Sequence, residues 1–297
     1  MQTAISQAIG LTLHGNAFLE TSAIDSCKHF WPGSNEFKFC EFIRFVDISQ
    51  EGQDISDNLL AADPPSWFKY LRKRGIERLN FIPAPMAMKP GQNAPPARML
   101  VGFTNSGGRW LIEATHPGGT DYWEGKWRIG DDKREDRNIW QVFYFRLPSE
   151  RKSTFQPDNP QIVRERLQNS LHAIHGFAEK HGLDNFAPCF ERGVQALGAS
   201  TPLPATYRGA VTPELNLSLQ ALQVWGAVMA GWVFGTMGSW NDVSFSGTDQ
   251  EEYEAVSEEH YQALLQAAAL VANWNMRQGK PVSKLGDWAA RLIGRRD

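Results

Sequence analysis

Residues 215–240 read LNLSLQALQVWGAVMAGWVFGTMGSW and contain no charged residue. Thr212 is suited to cap a helix, with Pro213 at the first helical position and Glu214 in the first turn. The residues that follow are apolar on nearly every helical face, which is typical of a helix buried in protein or in a membrane. The sequence therefore predicts a long apolar helix at 213–237 around which the remaining chain is organised.

A transmembrane helix is the alternative, because the stretch is long enough to span a bilayer. Asn216, Gln220 and Gln223 argue against it, since polar side chains are costly in hydrocarbon, and no Lys or Arg cluster flanks either end. The N-terminus lacks the basic region and the long apolar core of a signal peptide, and three widely spaced cysteines do not suggest a disulfide framework. We expect a cytoplasmic protein with no membrane association.

The charge balance gives no indication of a nucleic-acid partner. The 297 residues carry a formal net charge of −3 and are enough to bury a substantial core. Asp63 and Pro64 are suited to begin a helix through SWFKYLRKRGIERL, residues 66–79, which is basic but matches no nucleic-acid-binding module. We interpret its charges as a solvated helix face and predict no nucleic-acid partner.

Strand patterns are concentrated before residue 150. Four successive segments have the composition or the alternation of strands and are separated by turn residues, which predicts an antiparallel meander. These segments are 99–104, 110–115, 122–129 and 139–147. An aromatic segment at 37–48 is interpreted as a further buried strand, with a helix from Ser34 as the alternative. A short helix at 3–9 is the only regular element expected in residues 1–36.

Helical patterns dominate after a polar, proline-containing segment at 148–161. Asn159 and Pro160 are suited to begin a helix that ends near His181, and a shorter helix is expected at 186–197.

The last long helix is predicted to begin with a capping box formed by Thr248 and Glu251 and to end at Gly279. The short loop before it favours antiparallel packing on the apolar central helix. A short amphipathic helix at 285–293 is expected to dock on the bundle.

Together these patterns predict an α+β fold. An N-terminal antiparallel sheet with flanking helices is followed by a C-terminal helical bundle around a buried apolar helix. We assign residues 1–150 to an α+β domain with an antiparallel meander and residues 151–297 to a mainly helical domain.

The loop after the apolar stretch contains the first candidate site. Asp242 and Asn241 are candidate catalytic residues, and Trp240 is a candidate binding residue, because glycine-bounded loops often display functional side chains. Turn formation explains the same residues more simply, since Asn and Asp bind nearby backbone N–H groups and a tryptophan can cover a helix end. We favour the turn interpretation.

His172, His175 and Glu179 share one face of a predicted helix and are candidate metal ligands. A polar helix flank is the simpler interpretation, because one helix supplies at most three ligands and no partner ligands are identifiable. Cys27 and His29 are a weaker candidate for a nucleophilic dyad, since their closeness in sequence does not establish contact in space.

No catalytic motif is present, so the sequence favours a binding or protein-interaction protein without catalysis, with a protein partner or a homo-oligomer. Its aromatic sheet residues, Trp110, Trp123, Trp127 and Trp140, are interpreted as core, with a stacking surface as the alternative. The alternative function is an enzyme, such as a hydrolase or a metal-dependent enzyme, with a site at the sheet–bundle junction near residues 239–242. The sequence identifies no cofactor.

Overall fold

A computed structural model describes residues 1, 3–21, 30–47, 58–84, 95–153, 155–207 and 209–274. Its helices are α1 (Thr3–Thr21), α2 (Pro64–Lys73), α3 (Ala97–Leu100), α4 (Pro160–Lys180), α5 (Ala187–Gly198), α6 (Leu219–Gly231) and α7 (Thr248–Ala272). Its strands are β1 (Cys40–Asp47), β2 (Leu59–Ala61), β3 (Arg78–Ala84), β4 (Arg109–His116), β5 (Gly119–Ile129) and β6 (Trp140–Ser149). The described chain is a mixed α+β protein, which confirms the predicted class.

The six strands form one sheet in the order β2-β1-β6-β5-β4-β3. Strands β3 to β6 form an antiparallel meander, whereas β1 runs parallel to β6, with Phe45 opposite Tyr144. The strands predicted at 37–48, 110–115, 122–129 and 139–147 are confirmed as β1, β4, β5 and β6.

The strand predicted at 99–104 is wrong, because this segment contains α3 followed by a turn. The first strand of the meander is instead β3, whose first two residues, Arg78 and Leu79, were predicted to end the helix after Asp63. That helix begins as predicted, with Asp63 accepting a hydrogen bond from the Ser66 amide at 2.7 Å. It ends at Lys73 because Gly75 adopts a left-handed conformation, with φ of +73°, that terminates helices.

Helix α1 lies at the centre of the molecule. Every residue from Ile5 to Phe18 is buried, and the helix contacts β3 and β4 of the sheet as well as α7. Gly10 and Gly15 allow this close packing, because an added Cβ would lie 2.4 Å from the Phe30 ring and 2.5 Å from Leu79. The predicted short helix at 3–9 therefore covers only the first part of a 19-residue core helix.

Helix α6 is buried as predicted but is shorter at both ends than the expected 213–237. Thr212 precedes only a single 3-10 turn, after which Asn216 takes a left-handed conformation with φ of +48°. Ser218 is the actual cap and accepts a hydrogen bond from the Ala221 amide at 3.2 Å. Within the described residues, no helix combines the length and the apolar character needed to cross a membrane.

Helices α4 to α7 pack against one another, and the buried core runs without interruption from the sheet through α1 into these helices. The predicted Asn159 cap of α4 is confirmed. The capping box at Thr248 is wrong, because α7 follows Gly247 and has no side-chain cap. The predicted end of the last helix at Gly279 is wrong, because α7 ends at Ala272 with Asn273 as its C-terminal cap. The predicted amphipathic helix at 285–293 lies outside the described residues.

Three asparagine side chains form the backbone hydrogen bonds that a neighbouring strand would otherwise form. Asn16 of α1 bonds both the amide and the carbonyl of Leu79 in edge strand β3, at 2.8 and 2.9 Å. Asn273, which follows α7, bonds the amide and the carbonyl of Phe81 at 2.7 and 2.9 Å. The backbone amides and carbonyls of Leu79 and Phe81 point away from β4 and have no further strand in the described part of the chain to pair with. The side chains of Asn16 and Asn273 supply their hydrogen-bond partners.

The third asparagine acts on strand β5. Asn105 bonds the amide and the carbonyl of Trp127 at 3.0 and 2.7 Å, beyond the last register pair between β4 and β5. Asn105 lies in the turn that was expected to join strands 99–104 and 110–115 in a hairpin. In the structure the side chain of this turn residue instead bonds β5.

We predict that Asn16→Ala lowers the free energy of unfolding by about 2–4 kcal/mol, because it leaves a buried amide and a buried carbonyl of Leu79 without partners. Urea denaturation of the purified chain measures the change. The exposed Asn185→Ala is the control and should change stability by less than about 0.5 kcal/mol. Equal effects of the two substitutions would contradict the proposed role of Asn16.

Candidate functional site

A cavity of about 1070 Å³ lies where the sheet edge meets the helices, and we name it the junction cavity. Its walls come from β3, the loop after β6, the segment that begins α6, and α7 with the residues that follow it. Aromatic residues from these separate elements line it, including Phe81, Trp110, Phe155, Tyr261 and Trp274. The cavity is therefore assembled from residues that are distant in sequence.

Arg78 is a positively charged group of the junction cavity. Its Nε donates to Asn80 Oδ1 at 3.2 Å, and its Nη2 donates to the Asn273 carbonyl at 2.6 Å. Both acceptors are neutral, and no carboxylate within the described residues forms an ion pair with this guanidinium. An arginine has five N–H donors, so this side chain keeps donors for a further acceptor.

Beside Arg78 lies a hydrogen-bond network centred on the buried carboxylate of Glu113. Asn80 Nδ2 and Ser153 Oγ donate to Glu113 Oε1 at 3.0 and 2.7 Å, and the Tyr122 hydroxyl donates to Oε2 at 3.2 Å. Asn80 and Ser153 also line the cavity. The network fixes the polar wall on which Arg78 lies.

Tyr261 lines the opposite, helical side of the cavity. Its side chain is buried, and its hydroxyl has no hydrogen-bond partner within the described residues. Burial raises the pKa of Tyr261, so the hydroxyl stays protonated at neutral pH. A buried hydroxyl without a partner costs free energy, and such a group at a cavity wall can bind a polar atom of a ligand.

Arg166 also lines the cavity, but its charge is already paired with a carboxylate. Nε and Nη2 both donate to the Glu259 carboxylate at 2.8 Å, and Nη1 donates to Gln266 Oε1 at 2.9 Å. This pair connects α4 to α7, and the Arg166 hydrogen bond lowers the pKa of Glu259. We therefore assign Arg166 to holding the helices together.

The loop residues chosen from the sequence lie elsewhere. Trp240 is fully buried and donates from Nε1 to Ser257 Oγ at 2.7 Å. Asn241 Nδ2 donates to the carbonyls of Arg98 and Gly235, at 2.8 and 3.1 Å, and the exposed Asp242 accepts from a backbone amide four residues earlier. None of the three lines the junction cavity. Turn formation and core packing account for all of these contacts.

The candidate metal ligands do not converge. His172 is exposed, and His175 Nδ1 lies 3.7 Å from Glu179 Oε2. Within the described residues, the three side chains whose potential ligand atoms lie within 4.8 Å of one another are His181, Asp249 and Glu252.

The side chain of Lys180 lies beside the carboxylates of that second group. Lys180 Nζ lies 3.5 Å from Asp249 Oδ1 and 2.7 Å from Glu252 Oε2, so one lysine ammonium pairs with both carboxylates. We interpret the group as an ion-pair network between the end of α4 and the start of α7.

The sheet tryptophans follow the core interpretation. Trp123 is fully buried and packs edge-on against Trp67 of α2, with ring centroids 5.4 Å apart. Trp127 and Trp140 also pack edge-on, at 6.0 Å, and Trp110 is buried at the cavity wall. Cys27 and His29, the candidate dyad, lie outside the described residues.

Sequence reasoning missed the residues of the junction cavity because no local pattern joins them. Arg78 was included in a helix with a solvated basic face, and Tyr261 lay within the predicted last long helix without any assigned functional role. The signal that was available is Arg78-Leu79-Asn80-Phe81, in which polar and apolar residues alternate as in a strand. Recognising β3 would have placed Arg78 and Asn80 on one face.

Comparisons with known proteins find no match for this chain: neither a family model, nor a curated protein, nor a solved structure.

His260, next to Tyr261 in α7, ties three helices together. Its Nε2 lies 3.0 Å from the Gly231 carbonyl at the end of α6, and its Nδ1 lies 3.1 Å from Ser170 Oγ of α4. A carbonyl only accepts, so Nε2 of the neutral ring carries the proton. Burial lowers the pKa of His260 to about 4 from its usual 6.5.

We predict that His260 makes the folded protein sensitive to mild acid. Because its folded pKa is below its unfolded pKa, the unfolded chain binds a proton first, and stability falls as the pH decreases from 6.5 towards 4. Between pH 7.5 and 5 this loss is about 2 kcal/mol. Denaturation at both pH values should show a smaller loss for His260→Gln, and equal losses would contradict the assignment.

Proposed function

We propose that the protein binds a small organic molecule in the junction cavity and does not convert it chemically. The observation that carries this proposal is the cavity, whose volume of about 1070 Å³ is at the upper end of the range for small-molecule sites. Apolar and aromatic residues make up more than half of its lining, and polar side chains from several elements supply the remainder, as is common among binding sites. This proposal gives a location to the binding function expected from the sequence.

The position of the cavity also supports the proposal. Ligand sites often form where structural layers meet, and here the edge of the sheet meets α7. The same proposal includes the arrangement of the layers. One layer is an N-terminal sheet with flanking helices, the other is a C-terminal bundle around α6, and the junction cavity lies between them. The hydrogen bonds between Asn273 and Phe81 hold the end of α7 against the edge of the sheet, and the cavity lies beside these bonds.

Binding is favoured over catalysis by the state of the polar groups. The Glu113 carboxylate is buried and already accepts hydrogen bonds from three neutral side chains. Asp242 and Asn241, the catalytic candidates of the alternative function, are held in turn contacts away from the cavity.

We predict that the neutral fluorescent probe N-phenyl-1-naphthylamine binds the full-length chain saturably with one site per molecule. Its fluorescence should increase, and it should accept energy from Trp110 and Trp274 in the cavity wall. Ala269→Phe should abolish this binding, because Ala269 lines the cavity on α7 and the larger side chain fills part of it.

The matched control is Ala255→Phe, an exposed position on the same helix outside the junction cavity. It should leave probe binding unchanged, and thermal unfolding should show that both variants fold. Absence of saturable binding, or equal binding by both variants, would contradict the proposed function.

A further inference from the structure

We infer that the ligand of the junction cavity is an organic carboxylate with an apolar body, whose carboxylate pairs with Arg78. This inference rests on the proposed function and specifies its ligand class. Two polar groups carry it: the guanidinium of Arg78, which has no carboxylate partner within the described residues, and the hydroxyl of Tyr261, which has no hydrogen-bond partner there.

Arg78 is held in place before any ligand binds. Asn80 and the Asn273 carbonyl fix two of its nitrogen atoms, and Asn80 is in turn bonded to Glu113. A guanidinium that is already oriented loses little side-chain freedom when it binds, and its planar donors match the two oxygens of a carboxylate. A carboxylate also supplies the negative charge that the neutral acceptors of Arg78 lack.

Other charged groups of the wall do not compete for this role. The charge of Arg166 is paired through two nitrogens with Glu259, and the third nitrogen donates to Gln266. The Glu259 hydrogen bond raises the pKa of Arg166, and the exposed Asp158, which also lines the cavity, adds to this effect. Arg78 is therefore the group that selects the charge of the ligand.

Tyr261 and the apolar wall select the remainder of the ligand. Leu265, Leu270, Ile82 and Pro83 offer aliphatic surface. As part of the inference, the second carboxylate oxygen of the ligand bonds the Tyr261 hydroxyl, which is buried and has no hydrogen-bond partner in the described residues.

The experiment displaces N-phenyl-1-naphthylamine with decanoate and with decanamide, which have the same chain and differ in charge. Wild-type protein should prefer decanoate by about tenfold or more, as expected for a hydrogen-bonded charge pair out of bulk water. Arg78→Gln should reduce the preference to near one, measured as the ratio of the decanoate and decanamide affinities of the variant itself. If Arg78→Gln does not fold, Arg78→Lys should fold and retain a reduced preference.

Tyr261→Phe provides an independent readout with two opposite effects. Removing an unpartnered buried hydroxyl should raise the unfolding midpoint of the free protein, and the same change should weaken decanoate binding by about threefold or more. A residue with only a structural role would not show this combination. A lowered midpoint together with unchanged decanoate binding would remove Tyr261 from the inference.

The outcomes separate the two proposals. If the neutral probe binds and Ala269→Phe abolishes that binding, but decanoate and decanamide displace it equally, the cavity is a binding site and the carboxylate inference is wrong. A preference for decanoate that persists in Arg78→Gln also overturns the inference. If the neutral probe does not bind saturably, the proposed function itself fails.

Discussion

The edge of a β-sheet must satisfy its outward backbone groups, and in this protein asparagine side chains from helical segments do so. Asn16 and Asn273 pair with alternate residues of β3, and each forms the two hydrogen bonds that a neighbouring strand would form. Because these amides come from α1 and from the end of α7, closing the sheet edge also fixes both helices to it. The arrangement protects the edge from pairing with other chains.

Helix α1 lies between the sheet and α7, so its position depends on the asparagine contacts that close the sheet edge. Some of its buried polar residues have partners outside the helix: Gln7 donates to the Glu36 carbonyl at 3.0 Å and accepts from the Tyr144 hydroxyl at 3.0 Å. Such residues reduce the mean hydropathy of a helix that is nevertheless enclosed. The sequence therefore indicated α6 as the central helix, since only α6 has apolar residues on nearly every face.

Features set by neighbouring residues could be predicted from the sequence. The caps at Asp63 and Asn159 and the alternation in β5 depend on contacts within a few residues. The junction cavity could not be predicted, because Arg78, Ser153 and Tyr261 meet only through the order of the strands and the packing of α7. The wrong prediction of a strand at 99–104 has a similar origin. The turn that contains Asn105 is held by hydrogen bonds to Trp127, which belongs to another strand.

The same closure of the sheet edge shapes the polar wall of the cavity. Asn273 uses its side chain on Phe81 and offers its own carbonyl to Arg78, so the guanidinium is oriented by neutral groups. A partly buried charge without an opposite charge is less stable than a paired one, and a buried hydroxyl without an acceptor adds a similar cost. Both costs lie on the wall of one cavity, whereas the charge of Arg166 at the same wall is paired with Glu259. A carboxylate bound at Arg78 would remove the first of these costs, so the cation that has no carboxylate partner in the described residues is the group that such a ligand would satisfy.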